Sequence, residues 1–159
     1  MTSGPDDPTD DIAFARRVLD DGRYLVLASA DGEGNPWPAP LWYAREGREI
    51  VWVSRRSTRH SSNLATRSTV GLVVFETPVP TAGRTRAVYA EATAGEVPEA
   101  DLERCLDVYD RRSRAEGMGP WPVERVVPPA DMRLYRAVVS RFFVLEPDRD
   151  LRREVELDL

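Results

Sequence analysis

The chain has 159 residues, 42% of them hydrophobic and 31% charged, the size and balance of one domain with its own core. Its 22 basic residues against 27 acidic ones leave a net charge of −5, which provides no general positive field for a nucleic-acid backbone. Every basic side chain except His60 is Arg, so Schiff-base chemistry and a P-loop lysine are excluded, and a lone Cys105 permits neither an internal disulfide nor a His/Cys zinc site.

Residues 1–9 read as a flexible polar lead with neither the basic region nor the apolar run of a secretory leader. The longest apolar runs, such as Leu72 to Phe75, fall far short of the roughly 20 residues a bilayer span needs. A cytoplasmic protein that crosses no membrane is the expectation. Ile12, Ala15, Val18 and Leu19 at helical spacing predict a helix over 10–21, stopped by Gly22. Residues 23–30 are β-rich, and DGEGNP (31–36) returns the chain into a second extended run, 37–44. That run has Pro36, Pro38 and Pro40 at alternate positions, so one side of it lacks three N–H donors and it is expected at an edge.

REGRE (45–49) reads as a turn before a strand over 50–54, and the Arg- and hydroxyl-rich segment 55–63 leads into a short helix over 58–67 with Thr58 as a possible N-cap. Residues 69–76 are continuously apolar, which predicts a central strand buried on both faces. After a loop with Pro78, Pro80 and Gly83, the strand 86–96 alternates small residues, leaving room for close approach of a neighbouring backbone or a ligand. Leu102, Cys105, Leu106 and Tyr109 form the apolar stripe of a helix over 99–115, which makes Cys105 a core residue. The long connection 117–132 is expected to shape a site or an interface, 134–145 is the last long strand, and 147–159 reads as an acidic tail over the surface or a partner subunit. Together, six strands in hairpin-rich order with peripheral helices predict an α+β, mostly β, antiparallel barrel occupying 10–146 as one domain.

Two segments carry chemistry. In VWVS-RRSTRHSSNL (51–64) a strand ends in Ser54 and a helix begins near Thr58 among Arg55, Arg56, Arg59 and His60. Helix starts expose unpaired N–H groups and partial positive charge, and arginines with hydroxyls beside them complete a site for a phosphate. A solvated basic loop is the simpler explanation of an arginine run; the five hydroxyls of Ser54, Ser57, Thr58, Ser61 and Ser62 favour the ligand. In PWPAPLWY (36–43) the prolines prevent regular pairing along one side, and a planar ring can lie against the strand, with the N–H groups of Ala39 and Leu41 as donors. The alternative is that Trp37, Trp42 and Tyr43 are core and dimer contacts.

The order of segments over 34–76 (GNPWPAPLWYAREGREIVWVSRRSTRHSSNLATRSTVGLVVFE) resembles the pyridoxamine 5′-phosphate oxidase-like FMN-binding split β-barrel family, with similarity across about 23–96. The resemblance implies a six-stranded split barrel, a homodimer with FMN at its interface, and flavin-dependent oxidoreductase activity on a small molecule. By position, it implies that Ala39, Pro40, Leu41 and Trp42 line the ring, Val53 and Ser54 sit at the ribityl-phosphate end, and Thr58, Arg59 and His60 hold the phosphate. His60 stands where members with a Ser-Arg-Lys signature have lysine, and Ala39 and Ala44 stand where charges that grip vitamin phosphates are expected. A deazaflavin coenzyme is the alternative cofactor, and a non-catalytic carrier or sensor of flavin, deazaflavin or haem is the alternative function. No metal site, nucleic-acid partner or membrane partner is expected, and no side chain is assigned a catalytic role, since hydride or electron transfer is the flavin's own chemistry. A Rossmann site lacks its G-x-G-x-x-G and a serine hydrolase its G-x-S-x-G.

Overall fold

The computed structural model describes residues 8–76, 86–146 and 150–157. The elements in chain order are α1 (Pro8–Asp21), β1 (Tyr24–Ala30), β2 (Pro36–Trp42), β3 (Ala44–Glu46), β4 (Glu49–Arg55), α2 (Arg59–Thr66), β5 (Thr69–Phe75), β6 (Ala87–Glu96), α3 (Glu99–Ala115), a 3₁₀ turn (Val123–Arg125), β7 (Met132–Glu146) and β8 (Leu151–Val155). The expected loop around Pro78, Pro80 and Gly83 lies outside the described residues, as do 1–7 of the lead and 147–149 and 158–159 of the tail.

All strands belong to one antiparallel sheet in the order β2-β1-β5-β6-β7-β4-β3, curled into a half-barrel, with β8 paired to β7. The 15-residue β7 holds it together: Met132–Val138 pairs with β4, Phe142–Glu146 with β8, and β6 runs along its other side. Register shifts between Glu91 and Ala92, a bulge of the kind that bends a sheet toward closure. The six expected strands are present, and two short ones join them. REGRE is a tight β3–β4 hairpin turning at Gly47, whose φ of 57° suits glycine. The acidic segment after β7 supplies β8, with Val155 and Leu157 buried.

Leu25, Leu27, Leu41, Trp52, Leu72, Tyr135 and Phe142 fill the concave side, closed by Phe14, Ala15, Val18 and Leu19 of α1. Each fully buried large apolar side chain there contributes about 1.5–3 kcal/mol. α1 stops at Gly22, where a Cβ would lie 2.5 Å from the Val18 carbonyl oxygen and 2.7 Å from the Tyr43 hydroxyl. A second cluster lies under α3, where Cys105 packs with Val51, Val108, Tyr109 and Leu134 and is fully buried, as its place on the apolar stripe predicts.

β5 differs from the expectation. It lies between β1 and β6, one place from the middle of the seven-strand path, and its burial alternates. Val70, Leu72 and Val74 face the core; Gly71 and Val73 are half-buried on the other face, where Phe75 is exposed. Continuous apolarity here reflects a sheet with a second apolar surface. The small residues of β6, by contrast, have a visible use: Ala90, Ala92 and Ala94 face inward, and α2 packs over β6 and β1.

Candidate functional site

β4 delivers Val53, Ser54 and Arg55 to a tight turn in which the Thr58 amide donates to the Arg55 carbonyl at 3.2 Å, and α2 follows at once. Thr58 is its N-cap, with extended backbone (φ −70°, ψ 151°) and a side-chain oxygen that accepts from the Ser61 amide at 3.4 Å. The first-turn amides of Arg59 and His60 have no acceptor within the helix.

His60 points inward. Its Nε2 lies 2.8 Å from the Ser54 hydroxyl and 3.1 Å from that of Thr58, and the residue is 8% exposed. Burial lowers its pKa below the ordinary 6.5, so near neutral pH the ring is uncharged. It acts as a polar pin joining the end of β4 to the start of α2.

The arginines separate by partner. Arg55 pairs with Asp131 at 2.7 Å and Arg56 with Glu96 at 3.6 Å, a carboxylate also 3.5 Å from the nearly buried Arg133. Arg59 has no carboxylate within ion-pair distance among the described residues; its guanidinium lies over the Trp37 ring, 4.5 Å from the centroid. The end of the 117–132 connection thus touches this site through Asp131, while its middle packs on α3 through Trp121, edge-on to Tyr109 at 5.2 Å.

β2 is an edge strand, as its prolines predict, paired with β1 across all seven residues. That ladder needs N–H donors from β2, and Pro36, Pro38 and Pro40 have none, so Trp37, Ala39 and Leu41 face β1. The amides of Ala39 and Leu41 are therefore committed to the ladder, a correction to their expected role as free donors. From 36 to 40 the outer edge presents carbonyl acceptors without amide donors. The side chains of Ala39 and Leu41 are buried in the core, and Pro40 is exposed on the opposite face.

Of the expected site residues, Ser54, Thr58, Arg59 and His60 form one group, and Trp37 joins it. Trp42 lies five residues along β2, about 17 Å of strand away. It packs edge-on to Tyr109 at 4.9 Å, donates from Nε1 to Glu116 at 3.2 Å, and shares the cluster under α3 with Val53. Two further residues, Asn63 and Ser29, tie the group together. Asn63 Nδ2 donates to the Ser29 hydroxyl at 3.0 Å, which donates to the Trp37 carbonyl at 3.2 Å, linking α2 through β1 to β2. The sequence signal for Ser29 is a polar residue at a core-facing position of an apolar strand; Asn63 has none, since its burial beside Leu64 shows only in the fold.

The exposed hydroxyls of Ser57 and Ser62, the half-buried one of Thr58, a guanidinium free of carboxylates among the described residues and a capped helix start are a donor set that fits a phosphate monoester, and the proline edge beside them fits a flat ring. Among the described residues no helix is long and apolar enough to cross a membrane, and no cluster of three or more His, Cys, Asp or Glu is placed to hold a metal.

A curled antiparallel sheet in this strand order, with helices packed on it, defines a split β-barrel. Residues 13–143 match the model of the pyridoxamine 5′-phosphate oxidase family, and the chain belongs to that family. Solved structures with the same fold include a protein of unknown function from Agrobacterium tumefaciens, with TM-score 0.69 and 19% identity over 96% of this chain. This chain spans 64% of that one. They also include HutZ, the haem storage protein of Vibrio cholerae (TM-score 0.67, 18% identity, 83% of this chain and 92% of that one). A FAD-binding protein of Mesorhizobium loti is similar as well (TM-score 0.62, 16% identity, 83% and 90%). No curated protein matches the sequence.

Proposed function

We propose that the protein binds FMN and works as a flavin-dependent oxidoreductase on a small molecule in the cytoplasm. The supporting observation is the Asn63–Ser29–Trp37 chain of hydrogen bonds, which makes the helix start with Thr58 and Arg59 and the proline edge of β2 one connected unit. Arg59, the Thr58 hydroxyl and the first-turn amides hold the phosphate. His60 contributes as a neutral partner that orients the Ser54 and Thr58 hydroxyls, and Ser54 with Val53 borders the ribityl chain. Ala39, Pro40, Leu41 and Trp42 border the ring through the β2 backbone and the proline face. Bound FMN supplies hydride or electron transfer; the chain binds, orients and excludes water.

The working unit is a homodimer. The convex side of β1, β5, β6 and β7 is apolar, with Tyr24 62% and Phe75 49% exposed. A concavity of about 480 Å³ lies there, lined by Val26, Val73, Tyr89 and Phe143 beside Glu91 and Arg152. A second copy covers this face, and opposite charges at its border suit a two-fold contact. Haem has less support, because the one histidine of the chain is buried with Nε2 turned into two hydroxyls.

The visible spectrum of the purified protein tests the cofactor, since flavin, deazaflavin and haem absorb differently. Arg59→Ala should weaken FMN binding about ten- to hundredfold, the 1.5–3 kcal/mol of a charge-assisted hydrogen bond. Arg111→Ala, on the exposed side of α3 with Glu46, should leave it unchanged. Equal affinity in the two variants would overturn the phosphate assignment. Reduction of the bound flavin by NAD(P)H and reoxidation by a substrate marks an enzyme; a flavin that stays oxidised with every donor marks a carrier.

A further inference from the structure

Trp37 was expected as part of a ring platform or a core contact, and its geometry suggests a different task. It is 39% exposed at the start of β2, its carbonyl is held by Ser29, and its ring carries the Arg59 guanidinium at 4.5 Å. The neighbouring cations are engaged elsewhere, Arg55 by Asp131 and Arg56 by Glu96, and the chain has no lysine to replace them. Arg59 is therefore the cation at this helix start that no carboxylate among the described residues engages, and charge recognition there depends on it.

Stacking on a ring uses the face of a guanidinium and leaves its N–H donors free in the plane. An exposed arginine without such a support loses rotamer freedom when an anion fixes it. Trp37 removes part of that loss beforehand. It is itself anchored, because the Ser29 hydroxyl on its carbonyl accepts from Asn63 in the same helix that carries Arg59. Ring and guanidinium thus belong to two elements joined by a buried chain of hydrogen bonds.

We propose that Trp37 is a positioning residue that holds Arg59 ready for a phosphate monoester and so sets the preference for a phosphorylated ring ligand over its dephosphorylated form. This rests on the FMN reading and adds to it a residue that need not touch the ligand. Because the stack acts only through Arg59, its effect belongs to the phosphate and not to the ring.

The test compares FMN with riboflavin by flavin-fluorescence titration of the apoprotein. Trp37→Ala is expected to weaken FMN about three- to fivefold, the range of an exposed cation–π contact, while riboflavin binding stays within twofold. Trp37→Phe keeps a ring and should recover most of the loss. In an Arg59→Ala background Trp37→Ala should cost nothing further. Circular dichroism and thermal melting establish that each variant is folded, and Trp37→Phe keeps the test open if Trp37→Ala is not.

Equal weakening of FMN and riboflavin, or a loss that persists without Arg59, would overturn the positioning role while leaving FMN binding intact. A wild-type protein that takes riboflavin as tightly as FMN would instead sink the phosphate site itself, and this role with it.

Discussion

The Ser54 hydroxyl and His60 Nε2 lie 2.8 Å apart and join the last residues of β4 to the first turn of α2. Burial lowers the His60 pKa, so the folded state takes up a proton less readily than the unfolded chain. The stability from keeping this ring neutral is fully present above the unfolded pKa of about 6.5 and is lost as pH falls through that value toward the folded one. Urea midpoints should therefore drop between pH 7.5 and 5.5, and His60→Gln should flatten that part of the profile. The lowered carboxylates, Asp31, Asp110, Glu116 and Glu154, lose their contribution at lower pH and do not confuse this window. A His60→Gln profile as steep as the wild type would count against the pin.

The Asn63–Ser29 contact makes a second prediction. Both residues are 4% exposed, so Ser29→Ala leaves the Asn63 amide without its acceptor in the interior. The expected loss is about 1–3 kcal/mol by chemical denaturation. Adding Asn63→Leu removes the stranded amide, and the double variant should be more stable than the sum of the two single losses predicts. Strict additivity would show that the two side chains do not act as a pair.

The convex apolar face makes a third. Val73 stands near its middle, beside Tyr89 in the neighbouring strand. If the proposed dimer forms through this face, Val73→Arg should convert it to a monomer in sedimentation analysis and lower the content of the proposed flavin, while far-ultraviolet circular dichroism stays native-like. A Val73→Arg protein that remains dimeric would place the interface elsewhere.

Much of the fold was legible because it is encoded locally. Helical spacing alone located α3 at Glu99–Ala115, a hydroxyl before a periodic stretch located the Thr58 cap, and missing amide donors put β2 at the edge. The short strands were not legible. Ala44–Glu46 is three residues beside a turn, and Leu151–Val155 (LRREV) is so strongly charged that only its pairing to β7 defines it as a strand. At the candidate site the residue types were visible and their partners were not. Nothing in the order of residues says that Arg55 and Arg56 are taken by Asp131 and Glu96, or that Trp37 and Trp42 diverge. Trp37 shares the parity of Ala39 and Leu41 and meets α2, whereas Trp42 shares that of the prolines and meets Tyr109. Which side of a strand each ring takes is a period-two fact; what waits on that side is tertiary.

The alternating prolines of β2 have one more effect, on how copies of this chain meet. An open sheet margin ordinarily invites another strand to zip onto it, and repetition of that step builds fibres. Here the margin has no amide hydrogens to offer between Pro36 and Pro40, so growth in the plane of the sheet is capped. The proposed self-association through the broad face does not depend on that margin, and a single two-fold pairing there would close on itself and stop at two.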